Sequence, residues 1–189
     1  PGGDNSVVVL DIGGGSTEVA VRRNREVVSL SMDIGCVRLT ERYLKGDPPG
    51  VDEVAGATGA IGTELDRAGR ELPELAGLDP SARLVGLAGT VSTLASLELG
   101  LHDYDRDKIH HSVLSLEAVD RWCSVLGAEP VAVRARRRAI SAGREDVIFG
   151  GALILRESMR RFGFPECIVS EADILDGLVI SLGVQIPPG

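Results

Sequence analysis

Aromatic side chains and cysteines are both scarce in this chain of 189 residues. Three Phe, two Tyr and one Trp are too few to build the stacking platform that binds single-stranded nucleic acid. The three cysteines, Cys36, Cys123 and Cys167, form no Cys-x-x-Cys pair, which excludes a zinc knuckle and a disulfide framework. We expect reduced, partly buried thiols, as in a cytoplasmic protein.

Long apolar runs and positive charge are also in short supply. The longest apolar run, residues 147–155, is well short of the roughly 18 residues that a membrane span requires. The 20 Lys and Arg are outnumbered by 28 Asp and Glu, which gives a formal net charge of −8. A general nucleic-acid binder carries a basic footprint instead. We therefore expect neither a nucleic-acid nor a membrane partner, although a local anion site is compatible with this balance.

Glycine is abundant, with 24 residues, and the chain is long enough for one domain to bury roughly 70% of its unfolded surface. Alternating apolar residues predict a β-hairpin over residues 6–22 and a third strand over 26–32. Further strands are predicted at 83–87 and 166–169. Helices are predicted at 36–44, 52–70, 91–99, 115–126, 130–140, 144–162 and 174–182. This order predicts a single mixed α/β domain over residues 1–189.

The turn of the predicted hairpin carries the strongest chemical signal, Asp-Ile-Gly-Gly-Gly-Ser-Thr-Glu over residues 11–18. Successive glycines allow backbone N–H groups to converge on an anion, and the next two residues add hydroxyl donors. Asp11 and Glu18 bracket the turn with the oxygen ligands that Mg²⁺ prefers. A strand follows the turn, which excludes a Rossmann turn, and the Gly-Lys-Ser/Thr of a P-loop is absent. The predicted phosphate-binding residues here are Gly13, Gly14, Gly15, Ser16 and Thr17.

A second glycine turn follows the strand at 83–87 and leads into a helix. The N–H groups at a helix N-terminus attract anions, and Gly89 lets a ligand approach the backbone closely. Thr90 is placed to cap the helix or to contact the ligand. Gly89 and Thr90 are therefore candidate phosphate-binding residues, although many α/β crossovers look similar.

Five segments, in this order, resemble the Ppx/GppA exopolyphosphatase family, which belongs to the actin, Hsp70 and sugar kinase superfamily. They are residues 9–18, 35–41, 86–95, 144–155 and 169–177. The resemblance covers the chain from about residue 7 to residue 182. It implies an actin-like (ribonuclease H-like) domain, in which a mixed sheet opened by a β-hairpin is flanked by helices.

The family releases terminal phosphate from inorganic polyphosphate, or the 5′-phosphate of guanosine pentaphosphate, with Mg²⁺ as cofactor. By position, the resemblance makes Asp11 and Glu18 the metal-linked and water-orienting acids, and residues 13–17 the phosphate-binding loop. An exopolyphosphatase is the activity that it favours. The alternatives are a guanosine pentaphosphate 5′-phosphatase, a non-catalytic module that binds polyphosphate or nucleotide, and, least favoured, a kinase of the same superfamily.

The chain departs from the family pattern in two ways. The first actin-like half is absent, together with the glutamate that the family uses as general base. The closing motif reads Leu175-Asp176-Gly177, where many relatives have Arg-Glu-Gly. The chain also begins at Pro1 without an initiator Met. We therefore expect the second half of a longer enzyme, inactive alone, with the N-terminal half as its partner; homodimer formation is left open.

A run of arginines gives one further candidate site. Residues 134–138 contain four arginines, and helical spacing would place Arg134 and Arg138 on one face. They, with Arg38, are candidate polyphosphate contacts, although a solvated helix face is the favoured explanation of the run. His110 and His111 lack an acid partner at metal-site spacing and are expected to be loop residues.

Overall fold

The computed structural model describes residues 6–23 and 26–171 of the chain. Its strands are β1 (Val7–Ile12), β2 (Thr17–Arg23), β3 (Glu26–Met32), β4 (Arg83–Leu87), β5 (Val113–Ser115) and β6 (Glu166–Val169). Its helices are α1 (Cys36–Tyr43), α2 (Val51–Glu71), α3 (Ala88–Glu98), α4 (Arg106–Ile109), α5 (Leu116–Ala128), α6 (Val131–Arg134) and α7 (Ile148–Phe162), with a 3-10 helix at Pro73–Gly77. None of these helices is both long and apolar enough to cross a bilayer.

The six strands form one mixed sheet in the order β3-β2-β1-β4-β6-β5. Neighbouring strands β1 and β2, and β2 and β3, are antiparallel, whereas β4 is parallel to both β1 and β6. The first two strands in the chain, β1 and β2, thus form a hairpin, as predicted. The carboxyl ends of the parallel strands β1, β4 and β6 lie on the same side of the sheet. Open α/β sheets bind their ligands at the carboxyl ends of their strands.

Side chains along the hairpin alternate between a face that packs into the core and a second face. Leu10 on β1 pairs with Val19 on β2, and both side chains are completely buried. The next pair along the hairpin, Asp11 and Glu18, points to the opposite face because side chains alternate along a strand. The same pattern that builds the core thus places two carboxylates together on the second face.

Helix α7 is the central helix of the core and packs against α1, α2, α3 and α5. Every residue from 148 to 155 is buried. A Cβ at Gly151 would lie 2.5 Å from Thr90 Oγ1 on α3, and one at Gly150 would lie 2.7 Å from Thr40 Oγ1 on α1. Close packing of α7 against α3 and α1 therefore accounts for this glycine pair.

The glycines of α2 contrast with those of α7 and yield a stability prediction. A Cβ at Gly59 or Gly62 would have no atom within 4 Å. Gly59→Ala and Gly62→Ala should each stabilise the protein by about 0.5–1 kcal/mol, because alanine restricts the unfolded chain and favours the helix. Thermal unfolding should show each Tm raised by roughly 1–4 °C. Gly151→Ala is the matched control and should lower Tm, since its Cβ would overpack the core. A lowered Tm in either α2 variant would contradict this account.

Two helix predictions in the second half of the chain were wrong at their ends. The helix predicted over residues 130–140 ends at Arg134, and the helix predicted from residue 144 begins at Ile148. The arginine-rich segment turns back onto α5 instead, where the side chain of Arg137 binds Glu129. The sequence pattern also missed α4, β5 and the 3-10 helix, which are only three to five residues long. The helix predicted over residues 174–182 lies outside the described residues.

Candidate active site

The glycine loop between β1 and β2 lies against the start of α1. The carbonyl of Gly13 accepts a hydrogen bond from the Cys36 N–H (2.9 Å), and the Gly14 carbonyl accepts from the next two N–H groups of α1 (3.0 and 3.1 Å). These bonds satisfy the N–H groups that every helix leaves open at its first turn. The N–H groups of Gly14 and Gly15 make no hydrogen bond to the described residues, so both are available to a bound anion.

Close approach, rather than a left-handed backbone, explains glycine in this loop. None of Gly13, Gly14 and Gly15 has a positive φ. A Cβ at Gly14 would lie 3.2 Å from Val37 Cγ2, and one at Gly35 would collide with the Gly14 carbonyl oxygen. The loop and α1 are therefore fixed relative to each other by backbone contact.

Glu18 is held in place next to Asp11 by two hydroxyl groups. Its Oε1 accepts hydrogen bonds from Ser16 Oγ (2.6 Å) and Ser31 Oγ (2.9 Å). Asp11 and Glu18 are directly opposite in the antiparallel register, where Cβ atoms lie roughly 4.5–5.5 Å apart. Ser16 was predicted to donate to phosphate, but its hydroxyl is used here to orient Glu18.

A cleft of about 410 Å³ opens at the carboxyl ends of β1, β4 and β6. Asp11 contributes from β1, Gly89 from the start of α3, and Glu171 from the residues after β6. Hydroxyl groups and two guanidinium groups supply most of the other polar atoms. The residues that carry them are Ser92, Thr93, Ser96, Tyr104, Arg138, Ser141, Arg144 and Ser170.

Arg144 lies directly over Gly89 at the N-terminus of α3. A Cβ on Gly89 would occupy the position of the Arg144 guanidinium, so only glycine leaves room for it. The preceding residue, Ala88, has a φ of +67°, which is unusual for a residue with a side chain and concentrates backbone strain at this turn. The described part of the chain gives Arg144 no ion pair. A guanidinium and a helix N-terminus thus face the same space, and both favour an anion.

Glu171 contributes a carboxylate to the lining of the cleft. Ser92 Oγ and Tyr104 OH donate to its two carboxylate oxygens, and its backbone N–H donates to His110 Nδ1 (3.1 Å). The hydrogen bond to Glu171 raises the pKa of Tyr104, and burial lowers the pKa of His110. His110 stacks on His111 in the loop expected for both. The lining of the cleft therefore combines the Arg144 guanidinium with the Glu171 carboxylate.

The arginine run divides into different roles, and the prediction that Arg134 contacts polyphosphate was wrong. Arg134 is only 3% exposed, and its NH1 donates to the Leu126 carbonyl (2.9 Å). Arg138 does line the cleft and forms an ion pair with Asp103 at 3.4 Å. Since the helix ends at Arg134, the two arginines share no helical face. Arg38 lies beside Gly15, as expected, and forms an ion pair with Asp33.

Two threonines predicted to bind phosphate have buried side chains. Thr17 is completely buried, and its Oγ1 donates to the Ile34 carbonyl at 2.7 Å. Thr90 is 1% exposed and packs against Gly151. Neither hydroxyl reaches the cleft. The structure brings Asp11, Gly89 and Arg138 together there, while residues 13–16 and Glu18 lie outside its lining.

Arg144 and Glu171 are the functional candidates that sequence reasoning left without a role. Each belonged to a segment that carried the family resemblance, and that was the only sequence signal for either. Their position depends on contacts with residues distant in the chain, Gly89 for Arg144 and Ser92 for Glu171. Such contacts follow from the order of the strands in the sheet and are not encoded in local spacing.

Carboxylates and histidines do not gather into a ready-made metal centre. Within residues 6–23 and 26–171, no group of three or more His, Cys, Asp or Glu could hold a metal ion. Asp11 and Glu18 remain as an adjacent pair. Mg²⁺ usually keeps several waters and binds one or two carboxylates together with substrate phosphates, so a two-carboxylate site fits this ion.

Comparison with known proteins identifies the same fold and family. Residues 2–184 match the Ppx/GppA phosphatase family. Exopolyphosphatase 2 of Mycobacterium tuberculosis is 41% identical over 179 residues, which are 93% of this chain and 55% of that protein. A structure of the Aquifex aeolicus PPX-GPPA enzyme superposes with a TM-score of 0.83 at 32% identity, over 94% of this chain and 57% of that one. An exopolyphosphatase-like protein gives a TM-score of 0.85 at 30% identity, over 94% and 59%. The chain thus spans a little over half the length of these relatives.

Proposed function

This chain belongs to the Ppx/GppA phosphatase family, and from that premise we propose that it forms one side of the active site of a Mg²⁺-dependent exopolyphosphatase. The fold is the actin-like fold of the family. Because the chain spans 55% of its exopolyphosphatase relative, the other side of the cleft would come from a further domain. That domain would also supply the general base, which the family resemblance places before the hairpin.

The pairing of Asp11 with Glu18 is the observation that carries this proposal. The two carboxylates share the sheet face opposite the core, and Asp11 also lines the cleft that contains Gly89 and Arg144. A carboxylate pair beside a guanidinium and a helix N-terminus supplies what phosphoryl transfer requires, which is positioning and charge stabilisation. A module that only binds polyanions would gain nothing from two acids here.

Asp11 and Glu18 are the residues that would hold the magnesium ion, either directly or through water. When bound, Mg²⁺ neutralises charge on the transferred phosphoryl group. Glu18 is already oriented by two hydroxyl donors, which suits a group that must hold an attacking water in line. Arg144 and the first N–H groups of α3 would bind the terminal phosphate, with the N–H groups of Gly14 and Gly15 on the hairpin side.

Glu171 supports a second candidate function, guanosine pentaphosphate 5′-phosphatase. A long polyanion that filled the whole cleft would meet the Glu171 carboxylate and be repelled by it. A nucleoside carries hydroxyl and N–H donors that a carboxylate accepts readily. Ser92 and Tyr104 bind the same carboxylate, so the surroundings of Glu171 favour a neutral polar group over additional phosphates.

Phosphate release by the whole protein and by the isolated chain tests the proposal. The whole protein should release phosphate from polyphosphate with Mg²⁺ and lose this activity in EDTA. The isolated chain should be slower by about 10²–10⁴-fold or more, since it lacks the general base. Guanosine pentaphosphate, assayed in parallel, decides between the two substrates by kcat/KM. Binding of both substrates without turnover by the whole protein would refute an enzyme, and full activity of the isolated chain would refute the two-part cleft.

A further inference from the structure

Arg134 combines deep burial with incomplete hydrogen bonding. Its guanidinium makes a single hydrogen bond to the described residues, from NH1 to the Leu126 carbonyl, and its Nε has no partner among them. A buried charge of this kind is costly, and an apolar residue of similar size is often as stable or more so. Stability alone therefore gives a poor explanation for an arginine at this position.

The location of Arg134 suggests a different explanation. Residues 135–147, which contain no helix or strand, follow it directly and carry Arg138 and Arg144 into the cleft. Arg134 lines a second cavity, of about 200 Å³. The same cavity is lined by Asp47, whose Oδ1 accepts from the Val131 N–H (2.7 Å), and by Asp146, two residues after Arg144. Arg134 thus stands before the segment and Asp146 stands at its far end.

Electrostatics connects the two ends of this segment. Burial lowers the pKa of Arg134, and the carboxylates of Asp47, Asp146 and Glu129 act in the opposite direction. Arg134 forms no ion pair with the described residues, so no single carboxylate neutralises its charge. Its charge therefore attracts Asp146, which lines the same cavity.

We propose that Arg134 is a positioning residue, which draws Asp146 towards it and thereby fixes the path of residues 135–147 so that the Arg144 guanidinium lies over Gly89. The part of this statement that concerns phosphate turnover rests on the proposed function. The placement of Arg144 does not, because it can be measured without activity. Arg137, which belongs to the segment, also anchors it through paired hydrogen bonds to Glu129 (2.9 and 2.5 Å).

The test replaces Arg134 in the whole protein and follows Arg144. In Arg134→Met, modification of Arg144 by phenylglyoxal, read by mass spectrometry, should be at least about threefold faster, and KM for polyphosphate should rise roughly 3- to 30-fold. The Tm should stay the same or rise, because methionine removes a buried charge. Arg134→Lys keeps the charge and should restore part of the protection of Arg144. Arg136→Met, an exposed arginine of the same run, is the matched control and should change neither quantity.

Asp146→Asn provides a second route to the same readout. Asp146 is exposed, so the variant should fold, and it should expose Arg144 as Arg134→Met does. The double variant should be no worse than either single variant, since both remove one interaction. Unchanged labelling of Arg144 in both single variants would overturn the proposal, whatever the Tm of those variants. Faster labelling in a protein that proves to have no phosphatase activity would support the positioning role and refute the proposed function.

Discussion

Glu18→Gln should lower kcat for phosphate release by about 100-fold or more, the scale of losing one preorganised electrostatic group. The amide oxygen of the introduced glutamine would still accept the hydrogen bonds from Ser16 and Ser31, so the hairpin should keep its geometry. Only the negative charge beside Asp11 is removed. Steady-state kinetics at saturating Mg²⁺, with Tm measured in parallel, checks both halves of this expectation.

Two comparisons make the result for Glu18 specific. Glu166→Gln changes an exposed strand glutamate on β6 and should leave kcat unchanged. Ser31→Ala removes one of the two hydroxyl groups that orient Glu18 and should have a smaller effect than the loss of the charge. A kcat within about twofold of the wild type for Glu18→Gln would remove Glu18 from the chemistry and leave Asp11 to act alone.

Gly89→Ala is the second change expected to have a large effect. The new Cβ would occupy the space of the Arg144 guanidinium and push this side chain out of the cleft. The collision involves the far end of a flexible side chain, so the fold should survive. We expect kcat/KM to fall by about 10²–10³-fold, as for the loss of one donor that stabilises developing charge.

The matched control for Gly89→Ala is Gly59→Ala. It is the same substitution at a helical glycine, where the new Cβ would have no atom within 4 Å. Its kcat/KM should equal that of the wild type. Arg144→Ala should reproduce the loss seen in Gly89→Ala, and the double variant should be no worse than either. If Gly89→Ala kept full activity while Arg144→Ala lost it, the contact over Gly89 would be irrelevant to function.

Local patterns in the sequence predicted the first half of the fold well. The hairpin, β3, α1 and α2 all follow from alternating or helical apolar spacing. Burial in these elements repeats with the period that defines them, so the pattern is visible in a short window. The same reasoning placed Asp11 and Glu18 at the two ends of one turn.

Predictions failed where contacts between separate elements decide the structure. Residues 134–140 have the composition of a helix, yet Arg134 and Arg137 bind groups on or just after α5 and end it early. Strand β5 is only three residues long and exists because β6 offers it an edge. Thr17 looked like a phosphate ligand because it sits in the glycine loop, but the register of the hairpin turns it into the core. In each case the deciding partner belongs to another element, which the spacing of apolar residues does not identify.

The position of β6 in the sheet has a consequence for biosynthesis. It is the last described strand in the chain, yet it lies between β4 and β5 and pairs with both. During translation the outer edge of β4 must therefore wait for residues 166–169 to leave the ribosome. An unpaired edge invites association with other chains, and pairings between distant segments form slowly. A nascent chain stalled before residue 166 would expose an edge that the finished protein covers, which makes this interval the one in which protection by a chaperone matters most.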